Sequence, residues 1–231
     1  MAECRDQGLL LRRIPYGETS LICHLLTANQ GRIALMARGA RRKNSPFLAA
    51  LAPIHELHLQ WKPGRRGMGT LIECERRASL LPEARFYEGM ELCALACDLF
   101  REGDPHGYGE LRHALLVLAQ GGIQQARLAA VWHLLSASGW VGHLASCWMC
   151  GRDVNKHETM YWQWGRLICH DCGRGRPVAP IQRRLLALAC EQAVEDADVP
   201  LDLWKGMIGD ILAAHGLRRR ASLFGWGTEG S

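Results

Sequence analysis

Apolar and polar residues alternate with a period of two in several short stretches of the first eighty positions. In HELHLQW, Leu57, Leu59 and Trp61 fall on one side and Glu56, His58 and Gln60 on the other, the pattern of a strand with one wet face. The runs GLLLRRI, TSLICHLLT, GRIALMA, PIHELHLQW and GTLIECERR are separated by PYGE, ANQG, the basic stretch RGARRKNSP and KPGRRG, so five strands are predicted before residue 80. Five short strands suit a small closed or nearly closed barrel. The OB-fold is the common five-stranded choice, with an SH3-like barrel as its competitor.

After Pro82 the spacing changes from two to three and four. EARFYEGMELCALACDLFRE, HGYGELRHALLVLAQ and IQQARLAAVWHLLSASG read as amphipathic helices, with Leu92, Leu95, Leu99 and Phe100 marking one apolar stripe. Gly121, Gly122 and Gly139 mark helix breaks, and two more helices are expected around 181 to 195 and 200 to 215. The closing RRRASLFGWGTEGS reads as frayed. The prediction is therefore an α+β chain. Residues 1–80 form an OB-fold barrel, and residues 81–231 form an α-helical domain with a cysteine-bearing ribbon inserted at 147–176.

Composition narrows the class. With 48% hydrophobic and 22% charged residues over 231 positions the chain should bury a real core. The longest apolar runs fall well short of a membrane span, and MAECRDQG lacks the basic-then-apolar pattern of a signal. A cytoplasmic protein is expected, with no membrane partner. The net charge of +5 is unevenly spread: residues 1 to 80 hold thirteen Lys and Arg against six Asp and Glu, whereas residues 81 to 146 hold four against seven. The basic first third points to a polyanion, most often nucleic acid.

Arg38, Arg41, Arg42 and Lys43 are the first candidates for phosphate contact, although a solvated turn is the competing reading of such a run. Arg32 follows the ANQG turn, Arg12 sits near the end of the first strand, and Lys62, Arg65 and Arg66 form the KPGRR turn. Adjacent Arg12 and Arg13 should point to opposite faces, so at most one shares a DNA surface. The barrel has few aromatics, namely Tyr16, Phe47 and Trp61, and Phe47 is read as core. Many arginines and few aromatics predict a grip on the backbone that tolerates any sequence.

Cys147-x2-Cys150 and Cys169-x2-Cys172 are two CxxC knuckles eighteen residues apart. Four thiolates at that spacing reach one tetrahedral Zn2+, and Gly151 and Gly173 free the backbone around the sulfurs. A four-thiolate site has no open position for activated water, so the zinc is read as structural. A zinc deaminase would need H-x-E, yet Glu158 directly follows His157. The aromatic YWQWG is read as a packing wall, with a lesser role in function open for Trp162 or Trp164.

The run GLLLRRIPYGETSLICHLLTANQGRIALMARGARRKNSP, the segment VWHLLSASGWVGHLASCWMCGRD and the YWQWGRLICHDC knuckle together resemble the bacterial RecO family of recombination mediators. That resemblance implies a protein that is not an enzyme, binds single- and double-stranded DNA and anneals complementary strands. It also implies partnership with RecR, with the acidic tail of single-stranded DNA-binding protein, and functionally with RecA, at the nucleoid. For the tail, Arg112 and Arg127 are the candidate basic rim. A zinc-ribbon OB-fold factor binding RNA is the alternative.

Overall fold

In the computed structural model, which describes residues 2–64, 67–191 and 200–217, all five barrel strands form where the alternation places them. They are β1 (Cys4–Tyr16), β2 (Ser20–Thr27), β3 (Gly31–Ala37), β4 (His55–Lys62) and β5 (Gly69–Ser79). The sheet closes in the order β1-β2-β3-β5-β4, with β1 pairing both β2 and β4. All neighbours run antiparallel except β3 and β5, which meet in parallel at Leu35↔Gly69. This is the five-stranded Greek-key barrel of the OB type.

The period of two fills the interior. Leu21, Cys23 and Leu25 from β2, Leu35 from β3, and Leu57, Leu59 and Trp61 from β4 are buried in one cluster with Leu10 and Leu71. Glu56, His58 and Gln60 alternate with the buried trio and are partly exposed, as expected. Removing this much apolar surface from water drives closure, at about 25 cal/mol per Å². Burial and the Arg13 charge act in opposite senses on the Cys23 thiol; burial wins and pushes it up to about 11, so it behaves as a small hydrophobe.

A short helix absent from the sequence expectation, α1 (Pro46–Ala50), joins β3 to β4. Its start is written as Ser45-Pro46: the Ser45 hydroxyl accepts from the Phe47 amide at 3.3 Å, and proline sits in the first helical turn. Helices α2 (Phe86–Leu99) and α3 (Tyr108–Leu118) follow, and α2 packs against β1. The chain divides into two compact units, and the first runs to Ala119, so it contains these two helices as well as the barrel.

The second unit, from Gln120 onward, holds α4 (Ile123–Ala137), α5 (Pro180–Glu191) and α6 (Leu201–Ala214). Trp132 of α4 and Trp204 of α6, both fully buried, meet edge to face at 6.4 Å. The Trp132 indole N–H donates to the Leu186 carbonyl of α5 at 3.0 Å. Between α4 and α5 in the chain lies a three-stranded sheet of order β7-β6-β8, formed by β6 (Met160–Gln163), β7 (Arg166–Ile168) and β8 (Arg176–Val178). The expected extension of α5 to residue 195 and the tail at 218–231 lie outside the described residues.

Candidate nucleic-acid interface and metal centre

The basic stretch leaves β3 at Ala37 and is anchored before it turns outward. Ala40 is fully buried beneath it. The Arg41 amide donates to the Thr19 carbonyl at 2.8 Å, and the Arg41 guanidinium donates to the Gly17 carbonyl at 3.2 Å. Backbone bonds from Arg42 to Gly39 and from Ser45 to Arg42 wind the rest into consecutive turns. The result is a fixed loop laid against the β1–β2 hairpin, with the side chains of Arg38, Arg41, Arg42 and Lys43 exposed. Among the described residues no carboxylate is ion-paired to any of the four.

The other basic candidates are differently placed. Arg12 is exposed on β1 across from His24, and its field acts on that ring; Arg13 instead donates to the Leu51 carbonyl at 3.1 Å. Arg32 is half-buried and donates to the carbonyls of Cys97 and Phe100, at 2.7 and 3.0 Å. These are the unsatisfied carbonyls at the end of α2, so Arg32 caps a helix and holds it to β3. Lys62 is exposed and pairs with Glu3 at 3.4 Å. Arg65 and Arg66 lie outside the described residues.

Of the three barrel aromatics, Trp61 is core and Phe47 packs against the core cluster. Tyr16 is 57% exposed and immediately precedes Gly17, the residue that receives the Arg41 guanidinium. It is the aromatic ring that stands by the basic loop. Alternation along β1 does not announce it, because an irregularity between Leu10 and Arg12 shifts the strand's register.

Arg112 of α3 donates to the Glu56 carboxylate of β4 at 2.7 Å, and the Tyr108 hydroxyl donates to the same oxygen at 3.3 Å. These contacts fasten α3 to the barrel. Arg127, half-buried on α4, belongs to the second unit, so the two are not brought together within one unit.

In the second unit Cys147, Cys150, Cys169 and Cys172 place their four sulfurs within 4.8 Å of one another, with Cys150 and Cys169 3.9 Å apart. Tetrahedral thiolates at about 2.3 Å from a metal stand about 3.8 Å from each other. The Cys169 amide donates to the Cys147 sulfur at 3.3 Å, and Gly151, at φ 69°, lets the first knuckle turn back so that its amide reaches the Cys147 carbonyl. Gly173 serves differently: its φ is not left-handed, and a Cβ there would press on the Cδ1 end of Ile168 at 2.7 Å, so that side chain would have to yield.

The thiols themselves argue for a cation. Burial would raise Cys147, yet donation from the backbone amides of Cys169, Cys150 and Met149 holds it down at about 6. Cys172, hydrogen-bonded to Cys169 and Cys150, is pushed up to about 12. Four sulfurs this close are a set that could hold one metal ion, whose charge would offset the repulsion between thiolates. Of the YWQWG residues, Trp162 is buried and its N–H donates to Asp210 at 2.9 Å, whereas Trp164 is 83% exposed at the β6–β7 turn.

Comparison with known proteins adds to this geometry. The family model described as recombination protein O N terminal matches residues 1–80, and that described as recombination protein O C terminal matches residues 85–205. A DNA repair protein RecO of Actinobacillus pleuropneumoniae serotype 3 is 42% identical over 167 residues, covering 69% of this chain and 68% of the relative. The DNA repair protein RecO of Syntrophotalea carbinolica is 29% identical over 222 residues, covering 89% and 82%. That of Actinobacillus succinogenes is 31% identical over 162 residues, covering 68% of each.

Proposed function

The chain belongs to the recombination protein O family, with a role in DNA repair and recombination, and on that footing we propose that it is a non-enzymatic mediator that holds DNA strands on its barrel and anneals them. The observation that carries this reading is the anchored loop of Arg38, Arg41, Arg42 and Lys43, four exposed cations with no ion-paired carboxylate among the described residues. Each Lys or Arg that neutralises a phosphate releases counterions, so affinity falls steeply with salt. Arg12 adds charge on the same barrel, and Lys62 contributes once it leaves Glu3, with Arg65 and Arg66 proposed beside it from the sequence alone.

Phosphate contacts position a strand without reading it. A backbone grip leaves base edges free, and with Tyr16 as the exposed ring by the loop, stacking is limited to about one base. That is what annealing needs: both strands are held while their bases stay available to pair. Single- and double-stranded DNA are both accepted because both present phosphates.

The four cysteines hold Zn2+ as scaffold. A metal there supplies charge and tethers the two knuckles; with all four positions taken by sulfur it leaves none for substrate. RecR and the acidic tail of single-stranded DNA-binding protein are the proposed partners, with loading of RecA as the outcome, at the nucleoid. Arg127 and Arg112, the latter paired with Glu56, are the candidate rim residues for the tail.

Replacing Arg41, Arg42 and Lys43 together with Ala tests the reading. Binding to unrelated sequences should weaken equally, and the slope of log affinity against log salt should fall by about 0.7 to 0.9 for each phosphate no longer neutralised. An unchanged slope would remove the loop from the interface.

A further inference from the structure

Within the second unit lies an open cleft of about 1290 Å³, to which the barrel's basic loop contributes nothing. It is walled by the segment after α4, the first zinc knuckle and the first turns of α5. Its cations come from separate elements: Lys156 from the loop before β6, Arg166 from β7, and Arg183 and Arg184 from α5. Among the described residues that line it, none is Asp or Glu. Lys156 and Arg184 are exposed and have no ion pair among the described residues.

Two further observations bear on what the cleft could take. Arg183 is only 6% exposed, and although one guanidinium nitrogen donates to the Asn155 carbonyl at 2.8 Å, the other is buried without a hydrogen-bond partner. A buried donor left unmade is costly, and a ligand oxygen would satisfy it. Trp148, 63% exposed on the cleft wall, is backed by the Arg166 guanidinium 5.6 Å from its ring centre, so a flat apolar face stands beside a row of positive charge.

We propose that this cleft is a second track for a single nucleic-acid strand, with phosphates on Lys156, Arg184 and Arg183 and a base against Trp148. The volume exceeds the roughly 300 to 1,000 Å³ of small-molecule sites. Cations distributed over several elements match a ligand whose charge repeats along its length, and an exposed indole offers a face to any base. The inference rests on the reading of the chain as a strand annealer, because joining two strands is easier when each has its own track.

The test uses the full chain and an oligothymidylate carrying 5-iodouracil. Lys156→Ala with Arg184→Ala, at unchanged melting temperature, should lower the salt slope by about 1.4, two single-strand phosphates at about 0.7 each. Photo-crosslinks of the wild type should include the peptide bearing Trp148. An unchanged slope, crosslinks confined to the first unit, or occupation of the cleft by an acidic peptide that the oligonucleotide does not displace would each overturn the proposal. The Arg41, Arg42 and Lys43 variant reports on the barrel alone: if it keeps its slope while the slope of the cleft variant falls, the barrel reading fails and the cleft stands.

Discussion

Arg41 and Arg32 carry the same charge on the same barrel, yet their neighbours give them different work. Arg41 braces the loop against Gly17 and stays exposed, whereas Arg32 spends its guanidinium on the end of α2. Arg32→Ala should therefore destabilise the first unit by about 2 kcal/mol, the scale of hydrogen bonds from a charged donor, and leave the salt slope of DNA binding unaltered. A changed slope with unchanged stability would reverse the assignment. Sequence alone makes both of them phosphate candidates, because charge is visible in a sequence and the carbonyls that engage it are not.

His24 gives a second test of the same kind. Burial, then the fields of Arg12 and Arg32, hold its pKa below the ordinary 6.5 against the opposing pull of Glu102. The unfolded chain then binds more protons, so stability from this residue is complete above pH 6.5 or so and is lost as pH falls through the folded value. The melting temperature of the wild type should drop more between pH 7 and 5 than that of His24→Gln. Parallel pH profiles would contradict this.

Among the elements, the strands are legible because one wet face and one core face impose a period of two, and the knuckles because tetrahedral geometry imposes spacing. Helix α1 escapes a periodicity reading although Ser45-Pro46 spells its start; at five residues it is too short to show a repeat. Tyr16 does not stand out from the other aromatics because a bulge breaks the strand's alternation before it. For the ribbon, Cys147→Ser or Cys169→Ser should abolish metal content, from about one zinc per chain, and expose β6–β8 to proteolysis. A variant that keeps its fold but no longer anneals strands would overturn the structural role of the metal.

For the molecule as a whole, helical spacing announces that a face is buried but not against what. Residues 86–118 read as part of a helical domain, and the family models also divide the chain after residue 80. The first compact unit nevertheless continues to Ala119, held by the Arg112–Glu56 pair and the Arg32 cap, both long-range contacts that no local pattern encodes. The cleft of the second unit is likewise hidden, since Lys156, Arg166 and Arg184 are dispersed in sequence and converge only on folding.

If an anchored basic loop on the barrel holds strands for annealing, a stopped-flow assay of complementary labelled oligonucleotides should reveal it. The wild type should accelerate duplex formation over the spontaneous rate, and the Arg41, Arg42 and Lys43 to Ala variant, with an unchanged melting temperature, should lose most of that acceleration. A wild type that leaves the rate unaltered, or a variant that anneals as fast as the wild type, would contradict that role.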